Sequence, residues 1–160
     1  MYWLNDHKKR DPLLRWALPD RIFFGRGACH ILAGAYLDAP PLAGFHAERI
    51  IPTEEYAGNH IYVTNGIVAF DFHGYSTRDR LLAQHRRGWS RRYPGWTCEV
   101  IPVDFDLLDT AELNSRKMLG PDQYLNNVLE RARRYLGRID HHSAARRATL
   151  LASPKPLTSG

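Results

Sequence analysis

The sequence predicts an α+β domain, an antiparallel sheet of four or five strands packed on a buried helix. Three observations carry this expectation. Residues 59–64 and 67–72 are rich in β-formers and flank Asn65-Gly66, the pair that most favours a two-residue hairpin turn. Cys29 to Leu37 (Cys-His-Ile-Leu-Ala-Gly-Ala-Tyr-Leu) is apolar nearly all round, as a helix inside a core must be. From Pro121 to Gly137, the residues Tyr124, Leu125, Val128, Leu129, Ala132, Tyr135 and Leu136 recur on one helical face.

The chain has 160 residues, 44% of them hydrophobic and 24% charged, the size and composition of one globular domain. No apolar run approaches the roughly 20 residues that span a bilayer, so no membrane partner is expected. Met1 to Lys8 has no continuous apolar core of the signal-peptide kind. The expected compartment is reducing cytoplasm, with both cysteines free, and secretion without a cleaved signal stays open. The net charge is +5 and the pI about 9.4. That bias is concentrated. Arg78 to Arg92 holds six arginines against the single acid Asp79, a net +5 that equals the charge of the whole chain. Such a segment is either a solvated helix face or the contact for an acidic partner.

Taken in order, residues 1–20 read as an N-terminal arm in which Asp11-Pro12 caps a short helical turn. Residues 21–24 are a short apolar strand or extended approach, and Gly25-Arg26-Gly27-Ala28 is a flexible entry to the Cys29 helix, which Pro40-Pro41 stops. Glu48 to Ile51 is a further strand. After the hairpin, Gly74-Tyr75 closes the second strand, and Ser76 with Asp79 resembles a capping box for a helix over 77–87. Residues 97–105 form a strand, with Pro102 marking an edge or an end. A short helix over 107–118 and the amphipathic helix over 121–137 complete a single catalytic-type domain spanning 1–138. From Ile139 the periodicity fails, and 139–160 is expected to be a flexible tail.

The hairpin brings chemistry with it. If Asn65-Gly66 is the loop, Thr64 pairs with Ile67 and His60 lies directly opposite Asp71. Opposed side chains have Cβ atoms about 4.5–5.5 Å apart, within reach of a histidine–carboxylate hydrogen bond. His73 shares their face, and Ile61, Val63, Val68 and Phe70 form an apolar patch on the other. Cys29 opens the buried helix, where unpaired N–H groups and the helix dipole favour a thiolate. A thiolate needs an imidazole, and the imidazole needs an orienting group. Cys29, His60 and Asp71 fill those roles as nucleophile, base and acid, and orienter. The Cys29 N–H supplies one oxyanion donor; a second backbone amide, Trp16 or Tyr62 could supply another. No glutamine precedes the cysteine to do so. His30 reads as a packing or hydrogen-bonding residue and Cys98 as a plain thiol. Trp89, Tyr93 and Trp96 either pack under a loop or line a groove.

Gly27-Ala28-Cys29 opening a buried helix, His60 at the start of a strand, and Asp71-Phe72-His73-Gly74 on its partner resemble the core of the papain-like and transglutaminase-like thiol enzymes. The resemblance covers roughly residues 21–75. It implies a papain-like or transglutaminase-like core and a thioester on Cys29 formed from an amide- or ester-bearing substrate. Water or an amine then resolves it, as in an amidase, peptidase or transglutaminase. No cofactor and no metal are called for. Two other classes compete. Cys29, His60 and Asp71 or His73 could ligate zinc if they converge, although closely spaced ligand pairs are absent. The arginine-rich segment with its interleaved aromatics could instead mark a non-catalytic module for nucleic acid or another acidic partner.

Overall fold

A computed structural model describes residues 11–53 and 55–152. Most of the expected tail's last stretch and the first ten residues of the expected N-terminal arm lie outside them. The described elements are α1 (Pro12–Trp16), α2 (Asp20–Gly25), α3 (Cys29–Asp38), β1 (His46–Pro52), β2 (His60–Thr64), β3 (Val68–Asp71), β4 (Gly74–Thr77), α4 (Arg78–Ser90), β5 (Cys98–Pro102), α5 (Thr110–Ser115), a 3-10 turn (Pro121–Gln123), α6 (Val128–Leu136) and α7 (His141–Ala152). The fold is α+β, with a five-stranded sheet in the order β4-β3-β2-β1-β5 and every pairing antiparallel.

Strand alternation divides the core in two. Ile61, Val63 and Phe70 leave one face and pack with Ile31, Leu32 and Tyr36 of α3 and with Val128 and Ala132 of α6. Tyr62 and Ala69 leave the other face and pack with Ile50, with Leu81 and Trp89 of α4, and with Trp96. Helix α3 packs on β2 and also on α6, so every residue from His30 to Tyr36 is buried. That placement explains why its sequence has no polar stripe.

Several elements differ from the sequence expectation, each for a physical reason. Residues 21–24 are helical. The Pro19 carbonyl accepts from the N–H groups of Ile22 and Phe23 at 2.9 Å, and the turn buries Phe23 and Phe24 together. An apolar run of three residues carries no period by which to tell the two states apart. The chain continues past Gly74 as β4, because Gly74 takes φ +97° and folds the strand back onto β3. The cap of α4 is therefore Thr77, whose hydroxyl accepts from Arg80 N–H at 3.1 Å, and Ser76 stays in the sheet. The helix expected over 121–137 is divided. Tyr124 is extended, and the Asn127 side chain caps α6 by accepting from Glu130 N–H at 3.0 Å.

The largest correction concerns the expected tail. Residues 141–152 form helix α7, which packs across β4 and β3. The Asp140 carboxylate accepts from Ser143 N–H at 3.0 Å, an N-cap visible in the sequence. Its buried face consists of small residues such as Ala148, so the apolar period is faint. Residues 139–152 therefore belong to the domain. The expected strands at 48–51 and 97–105 are present as β1 and β5, and β5 is an edge strand that ends at Pro102.

Candidate active site

The entry to α3 is held rigidly. Gly27 has φ +101°, a conformation that L side chains rarely adopt, and its carbonyl accepts from Arg15 Nη2 at 2.9 Å and Tyr124 OH at 3.0 Å. Ala28 is fully buried at the cap position, and Cys29 is the first helical residue. The Cys29 thiol is free and half-buried. Its own N–H belongs to the first turn, where no intrahelical acceptor exists.

The hairpin closes one residue later than its sequence suggests. Val63 pairs with Phe70 and Thr64 with Ala69, so Gly66-Ile67 is the loop. Gly66 takes φ +93°, as the first central residue of a type II′ turn does. The Asn65 side chain does not sit in the loop but caps it, accepting from the N–H groups of Ile67 at 3.0 Å and Val68 at 2.8 Å. The shift moves each partner by two residues, which preserves the face on which every side chain lies. His60 is consequently diagonal to Asp71 rather than directly opposite it. The bond still forms: His60 Nε2 is 3.0 Å from Asp71 Oδ2, with both side chains buried. Asp71 Oδ1 accepts from His73 N–H at 2.8 Å, which fixes the carboxylate plane.

With Nε2 engaged by Asp71, Nδ1 is the ring nitrogen that His60 has left to offer. The electrostatics show where it is spent. Burial raises the Cys29 pKa, but hydrogen bonding to His30 and His60 and the charge of His60 outweigh it, and the thiol falls to about 5. Burial lowers the His60 pKa, but Asp71 and the Cys29 sulfur raise it to about 10. Burial pushes Asp71 up, and hydrogen bonds from His60 and His73 hold it below the usual carboxylate range. The favoured state is a thiolate–imidazolium pair steadied by a carboxylate. Cys29, His60 and Asp71 thus come together.

Other expected residues fall in different places. His73 lines the cavity beside this site, with Nδ1 3.5 Å from Asp71 Oδ1. Tyr62 is stacked near His60 but donates its hydroxyl to Glu48, which also accepts from Arg78 Nε at 2.8 Å. A phenol whose proton is committed to a carboxylate is not an oxyanion donor, so that role is corrected. Trp16 packs edge-on against Phe23 and under the Arg131 guanidinium, as a buttress of the N-terminal segment. Cys98 lies half-buried on β5 against the second core cluster. Trp96 is buried and donates Nε1–H to the Ala57 carbonyl, whereas Trp89 both packs there and reaches the cavity wall.

One neighbour, His85, carries no sequence signal; the other, His30, takes the hydrogen-bonding part that its sequence predicts. His85 of α4 stacks on His60, with ring centroids 5.4 Å apart and planes 13° from parallel. Its Nε2 bonds the Gly58 carbonyl at 2.7 Å, and burial together with the charge of His60 lowers its pKa to about 4. It is a neutral plate against the imidazolium. His30 bonds the Leu119 carbonyl through Nε2 at 2.8 Å while its side chain also engages the Cys29 thiol.

A cavity of about 1060 Å³ opens beside the triad, lined by His60, Asp71, Gly25–Gly27 and residues of β4, α4 and α7. Cys29 adjoins it through Gly27 and His60 and is not itself on the wall. Among the described residues, no group of three or more His, Cys, Asp or Glu side chains is disposed to hold a metal ion, and no helix is long and apolar enough to cross a membrane. No protein-family model, no curated protein and no solved structure matches this chain.

Proposed function

We propose that this chain is a thiol acyl-transfer enzyme of the papain-like or transglutaminase-like kind, most simply an amidase or peptidase. One observation carries the reading. A cysteine opens a buried helix, and His60, whose Nε2 lies 3.0 Å from the buried Asp71 carboxylate, is near enough that it outweighs burial in lowering the thiol pKa to about 5. Each member has the environment its role requires. The helix start and His60 stabilise negative charge on sulfur. Asp71 sets the orientation of the ring and supports its positive charge.

The Cys29 thiolate attacks the carbonyl carbon of an amide or ester. A carbon–sulfur bond forms, and the carbonyl electron pair moves onto oxygen, near the Cys29 N–H. His60, as imidazolium, gives its proton to the leaving amine or alcohol as the carbon–nitrogen or carbon–oxygen bond breaks. Water, or an amine, then attacks the thioester and loses its proton to His60. The carbon–sulfur bond breaks and the thiolate–imidazolium pair is restored. Asp71 keeps its negative charge throughout.

p-Nitrophenyl acetate provides a test that needs no knowledge of the natural substrate. At pH 6–7 one equivalent of p-nitrophenolate is released per chain in a burst, and the acetyl group maps to Cys29. Cys29→Ser releases no burst while its far-UV circular dichroism matches that of the native chain. An undiminished burst in that variant, or equal acetylation of Cys98, overturns the reading.

A further inference from the structure

Two side chains from elsewhere in the chain meet on one carbonyl of the loop that leads to Cys29. The Gly27 oxygen accepts from Arg15 Nη2 of α1 at 2.9 Å and from the Tyr124 hydroxyl at 3.0 Å. The Arg15 guanidinium lies 5.3 Å from the centre of the Tyr124 ring, so the two donors also hold each other. Arg15 gives up a contact to stand there: its Nε is buried and has no acceptor among the described residues. A buried N–H left unpaired is costly, so stability alone does not account for the placement. Burial raises the Tyr124 pKa, Arg15 opposes that, and the charge of Cys29 adds to it. The phenol therefore keeps its proton, and its donor, near the thiolate.

A clamp on this oxygen sets the direction of a whole peptide unit. The Gly27–Ala28 peptide is planar and trans, so the Ala28 N–H points opposite to the Gly27 carbonyl, away from Arg15 and Tyr124. Gly27, at φ +101°, has no Cβ to resist turning that unit over. Turned over, the carbonyl oxygen takes the place of the N–H and opposes negative charge at the start of α3. Ala28 takes ψ +18°, which sets its own nitrogen and that of Cys29 on one side of the Ala28 Cα–C bond. Ala28 is fully buried, and neither N–H has an acceptor among the described residues. From these observations we propose that Arg15 and Tyr124 are positioning residues of the thiol chemistry. They keep the Gly27 carbonyl turned out, so that the Ala28 N–H joins the Cys29 N–H in binding the substrate's carbonyl oxygen as it becomes negative. This second oxyanion donor rests on the thiol-enzyme reading and completes it.

Two reagents separate this positioning from the formation of the thiolate. With iodoacetamide, the Cys29 thiolate displaces iodide from a methylene carbon, and no oxyanion forms. With p-nitrophenyl acetate, it attacks a carbonyl carbon, negative charge builds on the oxygen, and p-nitrophenolate leaves. The readout is the acetylation rate divided by the alkylation rate at Cys29, measured on the full chain at pH 6–7. Loss of one oxyanion donor costs on the order of 100- to 1000-fold, and a peptide free to turn forfeits part of that. The ratio is therefore expected to fall roughly tenfold in Tyr124→Phe and in Arg15→Met, while the alkylation rate stays within about twofold and its pH midpoint does not move. Arg15→Lys keeps a cationic donor for the Gly27 carbonyl and recovers most of the ratio.

Tyr124→Phe deletes one oxygen and keeps the ring against Phe23, whose centroid is 5.8 Å away, so it carries the test by itself if Arg15→Met does not fold. A ratio unchanged in Tyr124→Phe, or acetylation and alkylation falling together, overturns the positioning role. The triad stands in that case provided iodoacetamide labels Cys29 of the native chain faster than Cys98 at pH 6. Labelling of Cys29 no faster than Cys98 overturns the thiol-enzyme reading instead, whatever the variants do.

Discussion

Cys29 and His60 have no independent titrations, because each holds the other's charged form. The sign of each contribution to stability follows from its own direction. The Cys29 pKa is depressed to about 5 from an unfolded value of about 8.5, so its share is complete above the unfolded value and is lost as pH falls through about 5. The His60 pKa is raised to about 10 from about 6.5, so its share is complete below pH 6.5 and is lost as pH rises through about 10. The stability difference between the native chain and Cys29→Ala is therefore largest between about pH 6.5 and 8.5 and shrinks on both flanks, which denaturant melts across pH 4–11 measure. A flat difference would mean that no ion pair forms. His85 is the second test. A stacked ring contributes about 0.5–1.5 kcal/mol, so His85→Ala slows iodoacetamide labelling of Cys29 at pH 6 by roughly three- to tenfold. His85→Phe keeps the plate, and most of the rate returns, although its bond to Gly58 is gone.

The entry loop owes its shape to helices distant in sequence. Arg131 of α6 is nearly buried, and its guanidinium donates to Asp20 at 2.8 Å, to the Trp16 carbonyl at 2.7 Å and to the Leu18 carbonyl at 2.6 Å. It also lies 4.0 Å over the Phe23 ring. Removing it orphans Asp20 in part and two carbonyls of the segment that leads to Cys29. Arg131→Met should cost about 3 kcal/mol, the lower end for breaking a buried pair. That is a fall in melting temperature of roughly 10 °C for a domain of this size, read by calorimetry. A fall of only a degree or two would show that α1 and α2 are anchored by apolar packing alone.

Two layers and a closing helix make one folding unit. Helix α7 covers the outer end of the sheet, where Tyr75 links Tyr36 at 2.9 Å to His141 Nδ1 at 2.8 Å. Truncation after Arg138 removes that closure along with Ala148 and the Arg147 wall of the cavity. The shortened chain should melt at least several degrees below the full chain and bind a hydrophobic dye on the uncovered face of β3 and β4. Melting unchanged by the truncation would return α7 to the status of a loose tail.

Periodicity, turn chemistry and the order of residues are local, and what depends on them was legible before any fold was seen. The Cys29 helix, the hairpin and the shared face of His60 and Asp71 all follow from patterns repeating within a dozen residues. The face survived an error in the turn because side chains alternate with period two, and the partners moved by two. Local patterns could not assign 21–24, where three apolar residues fit either state, nor α7, whose buried side is alanine. They could not show His85 on the site, since it reaches His60 from α4, an element separate from the hairpin. Nor could they bring Arg15 and Tyr124 to one carbonyl of the entry loop. Those assignments depend on packing between segments such as those of Gly27 and Tyr124, 97 residues apart, which satisfies burial and charge for all elements together and leaves no trace in the neighbours of any one residue.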